Sequence, residues 1–120
     1  MERDMELIRE ILLAVEESQT DPLATVPLKI EGYDDTKISY HVWLCVDARL
    51  VEGVDCSTMQ GFSWEAQRLT WNGHEFLQAI RDETIWNKVK RKLLKPSASW
   101  TFPILMEYLK LEITKKLGME

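Results

Sequence analysis

Glycine, histidine and cysteine are all scarce in this chain, and each scarcity excludes a class of chemistry. The five glycines are scattered, so no loop cradles a phosphate and no nucleophile elbow is present. The only histidines are His41 and His74, and the only cysteines are Cys45 and Cys56. No pair among them has zinc-motif spacing, and two cysteines make no disulfide framework. No catalytic residue, metal or cofactor is therefore expected, and an enzyme is not the expected class. No apolar run approaches the roughly 18 residues that span a bilayer. The start of the chain, MERDMELIREILLAVEE, is acidic and amphipathic and lacks a small-residue cleavage site. Neither a signal peptide nor a membrane partner is expected, and the expected compartment is cytoplasmic.

What is present suits one ordinary folded domain. The chain has 120 residues, 45% hydrophobic and 29% charged, with a net charge of −5. The charge is divided unevenly: residues 1–60 carry 5 basic and 13 acidic side chains, residues 61–120 carry 10 and 7. Overall acidity argues against a non-specific nucleic-acid binder, although it leaves room for a local basic face. The densest positive segment is Lys88, Lys90, Arg91, Lys92 and Lys95. As a run it reads first as the solvated face of a helix.

Periodicity marks the elements. Met5, Ile8, Leu12 and Val15 recur at three- and four-residue steps, giving a first helix over about 4–17 with Asp4 as its cap. Residues 18–27 hold Pro22 and Pro27 and read as loop, followed by a short strand near Leu28 to Ile30. Asp34 or Asp35 caps a helix that runs to about Arg49, with Ile38, Val42, Cys45 and Val46 inward. Thr36, Ser39, Tyr40, Trp43 and Asp47 face outward. Ala48 is small enough for a close approach of helix and sheet. Cys45 reads as a small buried hydrophobe.

Two strands follow, from Leu50 to about Cys56 and from Trp64 to about Thr70, with residues 57–63 as a flexible tip around Gly61. Thr70 or Asn72 caps the next helix, and Asn72 with Glu75 suggests a capping box. Asp82 caps a fourth helix with Ile85, Trp86, Val89 and Leu93 as its stripe; Lys95, Pro96 and Ser97 end it. Asp82 and Glu83 are paired carboxylates, but beside a helix start they read as capping chemistry. Thr101 caps a last helix with Pro103 in its first turn. Leu105, Tyr108, Leu109, Leu111 and Ile113 form its apolar face, and Gly118 terminates it.

The order helix, strand, loop, strand, helix over residues 37–77 outlines a winged helix. The expected fold class is α+β: a helix-turn-helix variant with a two-stranded β-wing, plus C-terminal helices. Residues 1–120 are expected to form a single domain, with 1–81 the winged-helix core and 82–120 two further helices. MERDMELIREILLAVEE, IEGYDDTKISYHVWLCVDARLVEG, RLTWNGHEFLQAIRDETIWNKVK and the terminal KKLG together resemble a bacterial and phage-associated family, domain of unknown function 2513. The resemblance covers nearly the whole chain. It implies a winged-helix-like fold and a prokaryotic or mobile-element origin, and it implies no activity. The central stretch also resembles the recognition helix and wing of bacterial transcriptional regulators. Their LTxxGxxF/L pattern at the wing's exit is matched by Leu69, Thr70, Gly73 and Leu77.

Two functional expectations follow. In the first, the protein binds double-stranded DNA as a transcription regulator. Thr36, Lys37, Ser39, Tyr40 and Trp43 then lie nearest the bases, and Arg68, Lys88 and Arg91 touch phosphates. Against it, the 35–49 helix offers only Lys37 and Arg49 as cations, opposed by Asp34, Asp35 and Asp47, and residues 18–33 leave little room for a preceding helix. In the second, the same scaffold is a protein-interaction module with Tyr40 and Trp43 at its hot spot, and the acidic half meets a basic partner. Leu109 on the last helix then lies in a homodimer interface. Either Tyr40, His41 and Trp43 form one exposed aromatic surface, or His41 and part of Trp43 pack against other helices. His74, in a helix's first turn, reads as a surface or capping histidine. Trp71 and Trp86 read as core anchors, and Phe62 and Trp64 flank the wing tip.

Overall fold

A computed structural model of the chain describes residues 1–18, 21–95 and 99–118. Among these the architecture is α+β, with five helices and a two-stranded antiparallel sheet. No helix among them is long and apolar enough to cross a membrane. The chain falls into two compact units, Met1–His74 and Glu75–Glu120.

The first unit begins with α1, Met5–Glu17. Asp4 caps it, its carboxylate accepting from the Leu7 amide at 3.2 Å. Leu7, Ile8, Ile11, Leu12 and Val15 form its buried stripe. Helix α2 spans Asp35–Asp47, capped by Asp34, which accepts from the Lys37 amide at 2.8 Å. Strands β1 (Val51–Asp55) and β2 (Trp64–Leu69) form the hairpin, and α1 and α2 both pack on it. Ile38, Val42 and Cys45 from α2 meet Val51, Ala66 and Leu69 in the buried core. Burial in that apolar setting pushes the Cys45 thiol up to about 12, so it is an inert small hydrophobe.

Two close approaches fix this packing. The hairpin register shifts between Glu52 and Gly53, and a Cβ on Gly53 would sit 2.9 Å from Val46 Cγ2 and 3.0 Å from the Glu65 carbonyl oxygen. Glycine therefore lets α2 lie directly on the bulged strand. Gly73, in the first turn of α3 (Trp71–Ile80), is tighter still: a Cβ there would lie 1.9 Å from the Leu50 carbonyl oxygen. The Thr70 amide donates to that same carbonyl at 2.9 Å, and the Thr70 hydroxyl donates to the Arg49 carbonyl at 2.6 Å. This is the physical content of Leu-Thr-Trp-Asn-Gly: the hairpin's exit is stitched to its entrance.

Helix α2 ends in a Schellman motif without glycine. The Leu50 amide donates to the Cys45 carbonyl at 2.8 Å and the Arg49 amide to the Val46 carbonyl at 3.0 Å. Arg49 takes the left-handed position, with φ +62°. Leu50 and Cys45 are both buried, supplying the hydrophobic contact of that motif.

The second unit is helical. Phe76, Leu77 and Ile80 of α3 are buried, and Phe76 lies 5.2 Å from Phe102 between ring centroids. Helix α4 spans Glu83–Lys92, capped by Asp82, and packs on α5, Phe102–Lys116, capped by Thr101 with Pro103 in the first turn. Ile85, Trp86, Val89, Leu105 and Leu109 are buried. Lys88 Nζ lies 3.3 Å from the buried Glu112 carboxylate, and Lys116 pairs with Asp82. Gly118 follows α5 at φ +72°, the left-handed terminator its sequence position indicates.

Several expectations change. Residues 28–30 form no strand; the chain touches the sheet two residues earlier, where Val26 bridges Ala66 and its amide donates to the Ala66 carbonyl at 2.7 Å. Trp71 is no core anchor: as the first residue of α3 it is 79% exposed. Thr70, whose hydroxyl accepts from the Gly73 amide at 2.9 Å, caps α3, and Asn72 lies inside the helix. Ala48 is exposed, so Gly53 and not Ala48 permits the close helix–sheet approach. Leu111 is exposed, unlike Leu105 and Leu109 on the same helix. The expected helix end at Pro96 and Ser97 lies outside the described residues, as does Thr20 of the first loop.

Candidate functional site

The outer face of α2 is set by helical spacing. Thr36, Tyr40, Trp43 and Asp47 recur at three and four residues, which puts them on one side, opposite Ile38, Val42 and Cys45. Tyr40 and Trp43 ring centroids lie 5.7 Å apart, tilted by 50°. A third ring arrives from the hairpin tip: Phe62 is 6.3 Å from Trp43, edge-on at 85°. Trp43 is 38% exposed and Phe62 43%. Met59 and Val54 add exposed apolar surface on the same hairpin.

The hairpin tip that delivers Phe62 is closed by hydrogen bonds, where sequence reading leaves a flexible loop. The Cys56 amide donates to the Ser63 carbonyl at 2.8 Å, and Thr58 and Gly61 exchange amide–carbonyl bonds at 3.0 Å. The Asp55 carboxylate accepts from the Ser57 amide at 2.9 Å, and the Ser57 hydroxyl accepts from the Ser63 amide at 2.9 Å. Gly61 turns the tip at φ +149°, a conformation that favours glycine.

His41 leaves the aromatic surface. It is fully buried, its Nε2 accepting from the Asp4 amide at 2.9 Å and its Nδ1 lying 2.8 Å from the Lys37 carbonyl. An acceptor at Nε2 requires the proton on Nδ1, so the ring is a neutral clamp between the start of α1 and α2. Beside it, Lys37 Nζ reaches Asp4 Oδ2 at 3.4 Å and lies 5.1 Å from the Tyr33 ring centroid. Burial opposes ionisation of Asp4, but the Leu7 amide and the Lys37 ammonium outweigh it and hold its carboxyl below the usual range.

The expected DNA-facing residues are therefore not one surface. Thr36, Tyr40 and Trp43 share the outer face of α2. Ser39 is buried, turned toward a recess lined by Val26, Leu28 and Trp64, and does not face outward as its sequence position suggests. Lys37 is paired with Asp4. Arg68 lies 3.8 Å from Glu52 and donates to the Leu69 carbonyl at 3.0 Å. Lys88 belongs to the second unit, held by Glu112, and Arg91 stands exposed on the same helix. Leu109, the expected homodimer residue, is wholly buried within the chain's own core; Ile104 and Leu111 are the exposed apolar side chains of α5.

Sequence reasoning undervalued two residues. Phe62 joins the ring cluster only because the tip closes, a contact 19 residues away from Trp43 that no local pattern reports. Arg49 at positive φ was legible only as the absence of glycine where helix 35–47 turns into strand 51–55. Among the described residues no group of three or more histidine, cysteine, aspartate or glutamate side chains is placed to hold a metal.

Residues 2–99 match the family described as "Hypothetical protein (DUF2513)". An uncharacterized protein of Haemophilus influenzae is 33% identical over 118 residues, covering 98% of this chain and 100% of that protein. No solved structure matches. On the family match over most of its length and the full-length similarity to that relative, the chain belongs to the domain of unknown function 2513 family.

Proposed function

We propose that this chain is a non-enzymatic protein-recognition module on a winged-helix scaffold. The scaffold reading rests on the order α1, the Val26 bridge, α2, β1 and β2, with the bridge and β1 both pairing to β2. In that reading α2 stands in the recognition-helix position, and residues 21–34 replace the preceding helix with loop. One observation carries the recognition reading: exposed Trp43 and Phe62, with half-buried Tyr40, form one ring cluster where helix meets wing. Exposed aromatic surface of this kind is enriched at the centres of protein interfaces. Lys37 and Arg68, two of the cations expected to face a nucleic acid, are each answered by a carboxylate of the chain.

A second reading, duplex DNA binding, is favoured by Arg49. It is exposed at the helix–wing junction in a conformation that glycine adopts at lower cost. One pair of measurements separates the two readings. Benzoylphenylalanine in place of Phe62 is expected to cross-link one protein in the native host, and Trp43→Ala is expected to abolish that product. Duplex fragments of the native neighbourhood are expected not to bind at about 50 mM salt. Tight duplex binding that falls steeply with salt and is lost in Arg49→Glu overturns the protein-recognition reading and establishes the second.

A further inference from the structure

We infer that the ring cluster takes a basic segment of a partner protein, with an arginine or lysine side chain laid against Trp43 and its charge met by Asp47. The inference rests on the protein-recognition reading and adds the chemistry of the partner. Its first support is a contrast among the aromatic rings. Lys37 lies over Tyr33 at 5.1 Å and Lys90 over Trp86 at 6.0 Å. Among the described residues, no cation of the chain lies over Tyr40, Trp43 or Phe62. The three rings are tilted and edge-on, not face-stacked, and Trp43 is 38% exposed; a cation binds an aromatic face within about 6 Å of its centroid.

The second support is Asp47. It is the last residue of α2, exposed and one helical turn from Trp43, which sets their Cβ atoms roughly 5–6 Å apart. A carboxylate there faces the negative end of the helix dipole, and the last turn of α2 holds no basic residue. Among the described residues, Asp47 has no ion-pair partner, and neither do Asp55 and Glu65 of the wing. Residues 34–68 carry six acidic and three basic side chains, and two of those three, Lys37 and Arg68, are already paired. An aromatic face with a carboxylate one helical turn away that no cation of the described chain answers attracts a cation and repels an acidic partner.

The test uses the full chain labelled with nitrogen-15 and a nine-residue peptide alternating arginine with leucine. One twin peptide carries glutamate, and another carries neutral citrulline, in place of arginine. The arginine peptide is expected to shift the Trp43 indole resonance and the amides of Tyr40, Asp47 and Phe62. Its binding is expected to weaken about ten-fold with citrulline and further with glutamate. Asp47→Lys, an exposed change that leaves the core intact, is expected to weaken the arginine peptide about ten-fold and to strengthen the glutamate twin. Equal binding of all three peptides at the ring cluster overturns the cation while leaving protein recognition standing. Binding of the arginine peptide that does not perturb Trp43, or no binding of any peptide, also overturns the inference; the Phe62 cross-link then judges the recognition reading separately.

Discussion

The two compact units handle charge in opposite ways. In Glu75–Glu120 charge follows the helix dipole: α4 opens with Glu83 and closes on Lys90, Arg91 and Lys92, and α5 closes on Lys115 and Lys116. Its ion pairs, Lys88–Glu112 and Lys116–Asp82, tie one helix to the other. In Met1–His74 both helices end on acidic residues, Glu16 and Glu17 in α1 and Asp47 in α2, with no cation in either last turn. Six basic residues there face fourteen acidic ones. The basic run at 88–95, which looks like a phosphate-binding patch, is thus largely accounted for by helix electrostatics. In the first unit Asp4 and Asp34 cap their helices, while Asp47 sits at the end of α2, one turn from Trp43, against the helix dipole. The sign of a charged segment says little about function until its local partners are subtracted.

Four variants test this contrast. The largest effect is expected from Gly73→Ala. A methyl group 1.9 Å from the Leu50 carbonyl forces the hairpin's exit away from its entrance, costing about 3 kcal/mol in urea unfolding and disturbing the first unit. An unchanged midpoint would deny that this contact holds the hairpin. His41→Ala follows. It leaves the Asp4 amide without its buried acceptor and opens a cavity between α1 and α2, a loss of roughly 2–3 kcal/mol by the same assay.

Lys88→Ala probes the second unit. Burial opposes ionisation of Glu112, but Lys88, Lys115 and Tyr108 together outweigh it and lower its carboxyl pKa. A carboxyl whose folded pKa is depressed stabilises the fold above the ordinary carboxyl range and loses that contribution as pH falls through the folded value. Removing Lys88 takes away the chief stabiliser of the Glu112 carboxylate; with Lys88 itself partly exposed, the variant loses about 1 kcal/mol at neutral pH. That deficit shrinks on acidification; a deficit independent of pH would show that the pair is not the cause. The smallest effect is a gain. Arg49→Gly relieves the left-handed strain at φ +62° and is expected to stabilise by about 0.5–1 kcal/mol, measured as a raised urea midpoint with an unchanged slope. If the same change also weakens a partner, Arg49 is kept for recognition at the expense of stability.

The legible parts of the sequence were the local ones. Asp4, Asp34, Thr101 and Asp82 cap the helices that periodicity places after them, because a cap and its amide lie within three residues. Hairpin strands 51–55 and 64–69 were readable for the same reason. Trp71 and Ser39 were misplaced because exposure depends on what packs against an element. Trp71 opens α3 with most of its surface exposed, and Ser39 lies beside the loop at Val26.

The sequence by itself determined five helices, one hairpin, their caps and the imbalance of charge, since each follows from spacing along the chain. Only the tertiary structure decided which polar groups are consumed and which remain. Folding buries His41 against Asp4, pairs Lys37 and Arg68, and brings Phe62 beside Trp43 while Asp47 stays unanswered. Those outcomes depend on contacts between residues far apart in the chain, and helical or strand periodicity carries no information about them.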